Sequence, residues 1–239
     1  LAVAGALGAA TFVLAGARDL GESLVAERQG RSAAPRTLSS STGLAWRLTR
    51  GAIIGWSVGG LLVGLLSTSL ASIVDDIGSG NPAIEGVLAQ LSGGGDLEQA
   101  TVTIFFTMLG VLAACAAVQT VCRARQEEAH GTAEPLLASP VARLRWLADY
   151  VLVGAAGIVL SMLAGAAGAA IGIATRGGTG DLMTDVWVSA GGQAVAASVF
   201  LAATALVFVV APRLTIPLGW TLVLAATMIG LFGPLLGLP

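Results

Sequence analysis

The chain has no lysine. All twelve basic residues among its 239 are arginine. A P-loop of the GxxxxGK[ST] type, a Schiff-base lysine and a Ser-Lys dyad are therefore excluded from it. It has one histidine, His130, which excludes a His-Glu-x-x-His metal site. Its two cysteines, Cys115 and Cys122, stand seven apart in one apolar stretch. On a helix that is about 10 Å of rise, whereas a disulfide needs Cα atoms within about 7 Å. They read as small buried apolar residues. Charge is scarce: 11% of residues, where a soluble domain carries about 25%. What is abundant is apolar: 55% hydrophobic residues, 33 glycines and a mean hydropathy of +0.86. Together these exclude a disordered chain, a disulfide scaffold and an ordinary soluble enzyme, and they point to an integral membrane protein.

Crossing about 30 Å of hydrocarbon takes roughly 20 apolar residues at 1.5 Å each. Six stretches contain no Asp, Glu or Arg: Leu1 to Ala17, Gly51 to Val74, Gln99 to Cys122, Tyr150 to Thr175, Val186 to Pro212, and Leu214 to Pro239. An Arg at a helix centre costs about 2.5–3.5 kcal/mol, so windows of this kind mark spans. The expected fold class is all-α: a polytopic transmembrane helix bundle of about six spans. The first stretch is short and opens without Met. The chain is therefore expected to be a piece lacking its start and its end.

Arginine placement sets the orientation. Residues 18–50 carry Arg18, Arg28, Arg31, Arg36, Arg47 and Arg50; residues 123–145 carry four; Arg213 sits in the turn between spans five and six. These alternate loops share a side, read as cytoplasmic in a multi-pass plasma (inner) membrane protein. The loop from Asp75 to Glu98 is acidic and has no Arg. It is read as external.

Span two opens Gly51-x-x-x-Gly55-x-x-x-Gly59, with Gly60 and Gly64 offset, and span four contains Gly165, Gly168 and Gly172. Small residues at this spacing let helix backbones approach in lipid. General packing and a sliding or dimer interface both fit. The run Arg36 to Arg50, with its Ser/Thr N-cap candidates, Trp46 and the Leu44/Leu48 face, reads as a short amphipathic helix on the inner leaflet or as a polar linker. Between spans three and four, Gln126 to Ala133 reads as a short helix interrupted by Pro135. Ser139-Pro140 reads as a fresh start with Ser as N-cap, running into span four. Arg143 and Arg145 are expected to face headgroups, and Trp146 and Tyr150 to lie at the interface. The result is a charged helical knuckle, or a solvated loop.

The spans hold no ionisable residue, so neither an intramembrane protease site nor the mid-membrane carboxylate of an ion-coupled carrier is visible. Their polar residues include Ser57, Thr107, Gln119 and Gln193. These suit helix-helix hydrogen bonds or a weakly polar path for an amphiphile.

The run Gln126-Glu-Glu-Ala-His-Gly-Thr-Ala-Glu-Pro-Leu-Leu-Ala-Ser-Pro-Val-Ala-Arg-Leu-Arg-Trp resembles a block of the type-2 class of ABC exporter permeases, departing from it only at Ser139. More closely, it is similar to the two-half actinobacterial permeases for polyketide-antibiotic (tetronasin-like) export. Arg18-Asp-Leu-Gly-Glu-Ser-Leu resembles their mid-protein junction, and Phe232-Gly-Pro-Leu-Leu-Gly-Leu-Pro resembles the stretch before their last external region. The resemblance implies three segments. Residues 1–17 would be the last helix of a preceding half, 18–50 the linker and elbow helix, and 51–239 the second half with its final helix missing.

It also implies that Glu127, Glu128, Gly131, Thr132, Ala133, Glu134, Pro140, Val141 and Arg143 form the coupling helix block that meets an ATP-binding subunit. Arg213 would make a second, minimal contact. No cofactor is implied in this chain; ATP and Mg would sit on the partner subunit. The other implied partners are the other permease half or a second copy, membrane lipid and an amphiphilic substrate, with no nucleic acid. A secondary carrier or channel, or a non-transporting membrane scaffold, is the alternative.

Overall fold

The computed structural model describes residues 2–16, 40–78, 97–175 and 180–232. Among them every regular element is helical. Helix α1, Ala2–Gly16, belongs to a unit of its own. Its 15 residues rise about 22 Å, less than a full crossing needs. The second unit contains α2 (Ser41–Gly78), α3 (Leu97–Ala129), the four-residue α4 (Glu134–Leu137), α5 (Arg143–Ala174), α6 (Gly180–Val210) and α7 (Thr215–Phe232), with a 3₁₀ turn at Pro212–Leu214. Five of these helices are long and apolar enough to cross a membrane. They correspond to the second to sixth charge-free stretches. The linker up to residue 39, most of the acidic loop, Arg176 and the ending from Gly233 lie outside the described residues.

Helix α2 starts as the Ser/Thr run suggests. Ser40 Oγ accepts from the Gly43 N–H at 3.1 Å, satisfying one of the free donors of the first turn. The elbow expectation is corrected. Residues 41–50 do not form a separate helix; they continue unbroken into the span as a 38-residue helix. Gly51 is the only weak helix former at the junction, and one interior glycine costs about 1 kcal/mol, too little to end a helix.

Helix α3 is the axis of the bundle and packs against α2, α5, α6 and α7. Its stretch from Gln99 to Cys122 carries no charge, which suits a helix with neighbours on several sides. Ala113, Ala117, Val118, Val121 and Ala124 are fully buried along it. Short side chains here bring four helices onto one.

The broadest interface joins α2 to α5, and glycine decides its geometry. A Cβ on Gly64 would lie 1.9 Å from the Gly165 carbonyl oxygen, and one on Gly168 would lie 2.1 Å from the Leu61 carbonyl oxygen. Backbone meets backbone at both places, so no side chain fits between them. Gly51, Gly55 and Gly59 meet nothing within 4 Å. The one-residue offset explains the difference: consecutive residues are turned about 100° around a helix, so only the Gly60/Gly64 row faces α5.

Candidate functional site

At one end of the bundle the chain turns from α3 to α5 through a compact knuckle. Gly131 makes the turn possible with φ +72°, a conformation L side chains rarely adopt. Around it the Ala133 N–H reaches back to the Glu127 carbonyl at 3.2 Å, and Thr132 Oγ1 donates both to that carbonyl (3.1 Å) and to the Glu127 carboxylate. Nδ1 of His130 donates to the Gln126 carbonyl at 2.7 Å. Pro135 opens α4 rather than interrupting a helix, because its missing N–H is unneeded in a first turn.

The expected start at Ser139-Pro140 is also corrected. Helix α5 begins at Arg143, after Ala142 in extended conformation. Ser139 Oγ donates backward to the Leu136 carbonyl at 2.5 Å, so it closes α4 instead of capping α5.

A belt of ionic contacts ties this end together. Arg123 pairs with Glu127 at 2.7 Å, and Glu128 receives both Arg125, at 3.0 Å, and Arg143. Arg145 contacts Asp149 at 3.3 Å. Asp149 is only 3% exposed, and its carboxylate also accepts from Ser41 Oγ and, at 2.6 Å, from Thr42 Oγ1. Those hydroxyls lie in the first turn of α2, where the helix dipole also favours a negative charge. The belt thus runs from α3 through α5 to α2. Arg143 and Arg145 each engage a carboxylate while staying largely exposed. Trp146 and Tyr150 are buried, at 3% and 2% exposure, with Trp146 edge-on to Tyr150 at 5.4 Å and tilted against Phe208 at 6.1 Å.

Glu127 and Glu128 are therefore used within the chain. Glu134, Pro135, Ser139 and Pro140 are exposed on the knuckle, and Glu134 has no ion-pair partner among the described residues. The 3₁₀ turn holding exposed Arg213 is at the same end. Its Pro212, with Phe208 and Val209, shares a cavity of about 350 Å³ with Glu128, Arg143 and Leu147.

The four polar span residues fall into three places. Gln193 Nε2 donates to Thr107 Oγ1 at 3.3 Å between α6 and α3, and both line a cavity of about 440 Å³ that α7 also walls. Gln119 Oε1 accepts from Trp56 Nε1 at 2.8 Å, joining α3 to α2. Ser57 lines an apolar cavity of about 530 Å³ between α2 and α5, and its hydroxyl has no partner there. No group of three or more metal-ligating side chains occurs among the described residues.

Residues 38–239 match the family model described as "Multidrug efflux system permease Rv1217c, C-terminal domain". The chain belongs to that permease family. A relative, the multidrug efflux system permease protein Rv1217c of Mycobacterium tuberculosis (strain ATCC 25618 / H37Rv), is 38% identical over 241 residues. The match covers all of this chain and 44% of the relative, so the chain spans less than half of that protein's length. Membership agrees with the five membrane-length helices: this is a multi-pass membrane protein of an efflux permease family.

Asp149 is the residue that sequence reading missed. Its signal was faint: one carboxylate just before an uncharged stretch, and a Ser-Thr pair 107 and 108 residues earlier.

Proposed function

We propose that the chain is the second half of the permease subunit of an ATP-driven ABC exporter. A separate subunit would bind ATP and Mg and hydrolyse it; this chain, without lysine, has no P-loop to do so. The cargo is an amphiphilic, drug-like small molecule, in keeping with the multidrug efflux name of the relative and with the resemblance to polyketide-antibiotic permeases. The knuckle and the Arg213 turn face the cytoplasm of a plasma-membrane protein, on the arginine-rich side.

The observation that carries this reading is the knuckle itself. The Glu128–Arg143 ion pair and a glycine turn fasten together the ends of two helices of membrane-spanning length, and a short exposed helix sits between those ends. A braced element moves as a body. A push on Glu134, Pro135 and Pro140 passes through Glu128-Arg143 into α5, and through Asp149 into α2. Glu127, Glu128, Gly131, Thr132 and Arg143 hold the contact in shape, while Glu134, Pro140 and Arg213 meet the partner.

The two roles separate by mutation. Glu134→Lys reverses an exposed charge that has no ion-pair partner among the described residues. It is expected to weaken co-purification of the ATP-binding subunit at least tenfold, since facing like charges cost several kcal/mol, while thermal unfolding stays where it was. Glu128→Lys strands Arg125 and Arg143 and is expected to lower thermal stability as well. Unchanged subunit binding and unchanged ATP-dependent transport in Glu134→Lys would defeat the assignment of the knuckle.

A further inference from the structure

The cavity between α3, α6 and α7 holds a carboxamide with unused bonding capacity, a larger polar group than the single Ser57 hydroxyl of the cavity between α2 and α5. Its volume, about 440 Å³, lies within the roughly 300–1,000 Å³ of small-molecule sites. No ionisable side chain lines it. Met108, Val111, Phe200 and Val223 supply apolar wall. Three side chains supply hydrogen-bonding groups: Thr107, Gln193 and Thr227.

The two threonines have already spent their protons. Thr107 Oγ1 donates to the Thr103 carbonyl at 2.9 Å, and Thr227 Oγ1 to the Val223 carbonyl at 2.8 Å. Gln193 is different. A carboxamide offers two N–H donors and a carbonyl acceptor. One donor goes to Thr107 at 3.3 Å, and the other N–H and Oε1 have no hydrogen-bond partner among the described residues.

Glycine makes the position possible. A Cβ on Gly110 would lie 2.1 Å from Gln193 Oε1 and 3.1 Å from Gln193 Cβ. The amide therefore rests on the bare backbone of α3, in space that any side chain at 110 would fill.

We infer that this cavity is the binding site for an uncharged amphiphile, whose carbonyl or hydroxyl group bonds the Gln193 amide seated on Gly110 while its apolar body lies against α3, α6 and α7. The inference rests on the exporter reading for the role of the site, but not for its chemistry. A permanent cation or anion entering here would lose its water and gain no counter-charge, which is strongly unfavourable within a bilayer. The site discriminates by charge, then by one polar group.

The test measures binding to the complete native permease in lipid nanodiscs, without ATP and without the partner subunit. The probes are tritiated progesterone, which is uncharged and carries carbonyl groups, and tritiated tetraphenylphosphonium, a permanent cation. Progesterone is expected to bind saturably and at least tenfold more tightly than the cation. Gln193→Leu and Gly110→Ala should each weaken progesterone about tenfold, which is about 1.4 kcal/mol. Thr107→Val removes the neighbour that holds the amide and should weaken it less. Ser198→Ala, on α6 but outside the cavity, should change nothing; that hydroxyl bonds the Val195 carbonyl in its own helix. Unfolding temperature is followed in parallel, and a variant that has lost its fold is replaced in the comparison by Thr107→Val.

No saturable progesterone binding, equal or tighter binding of the cation, or unaltered binding in folded Gln193→Leu and Thr107→Val would each overturn the proposal. Thr107 lies about 33 Å along α3 from the knuckle end, so failure of the site and failure of the exporter reading are distinct results. Binding without any ATP-dependent transport would leave the site standing and remove the exporter.

Discussion

Gly64→Leu is expected to abolish recovery of folded protein from the membrane, while Gly55→Leu leaves yield and unfolding temperature unchanged. The two glycines lie in the same helix, in glycine rows offset by one residue. Their surroundings differ completely. A Cβ at 64 would sit 1.9 Å from the Gly165 carbonyl oxygen, whereas a Cβ at 55 meets nothing within 4 Å. A flexible side chain can turn aside; a carbonyl fixed in a helix cannot. Overpacking a core costs roughly 1–3 kcal/mol where neighbours adjust. Here the adjustment would have to separate α2 from α5, the broadest interface of the bundle, so even Gly64→Ala is expected to exceed that range. Gly168→Ala should behave alike, since its Cβ would lie 2.1 Å from the Leu61 carbonyl oxygen. Comparable yields for Gly64→Leu and Gly55→Leu, measured by size-exclusion chromatography after mild extraction, would contradict this packing.

The second large effect is expected at Asp149. Its carboxylate is buried and accepts from two hydroxyls in the first turn of α2, with Arg145 on its solvent side at 3.3 Å. Asp149→Ala removes the shared acceptor and leaves Ser41 and Thr42 facing an apolar gap. Hydrogen bonds to charged groups contribute about 1.5–3 kcal/mol each, and stranded partners add a desolvation cost. A loss of about 3 kcal/mol is expected. Asp149→Asn keeps one acceptor oxygen and should lose about half as much. The exposed Arg145 contributes little by comparison, because pairs open to water are worth about 0–1 kcal/mol. Arg145→Ala should therefore be nearly neutral, and equal effects of Arg145→Ala and Asp149→Ala would refute this ordering. A functional consequence follows as well. Without Asp149 the first turn of α2 loses its polar tie to the start of α5, so on the exporter reading transport should fall further than stability does.

These two sites mark how far the sequence could be read. Hydrophobic stretches free of charge announced about six spans, and five of them are helices of membrane length among the described residues, because nothing else in a chain tolerates so long an apolar run. The break between α3 and α5 was equally visible, since Gly131, Pro135 and Pro140 cannot all sit inside one helix. Boundaries were less legible. The start of α5 depends on whether the Ser139 hydroxyl turns forward or back, and it turns back to Leu136. The continuity of α2 through Gly51 depends on a cost too small to see in composition. Which glycine row packs was hidden by rotation about the helix axis, not by spacing. Long-range pairs were hidden entirely: Gln193 with Thr107, and Asp149 with Ser41 and Thr42, are joined only by the fold. The partners of the arginines were hidden for a related reason. A sequence shows that a charge lies near the membrane surface but not that a carboxylate 15 residues away, Glu128, already holds Arg143.

The central claim is that ATP bound elsewhere drives this chain. The most direct measurement reconstitutes the complete native permease, with whatever subunit co-purifies in fixed proportion, into proteoliposomes containing ionophores that collapse every ion gradient. The account predicts that ATP alone drives accumulation of an uncharged amphiphile such as progesterone, and that Glu134→Lys abolishes it while progesterone still binds. Accumulation that ignores ATP and follows an imposed proton or sodium gradient would contradict it.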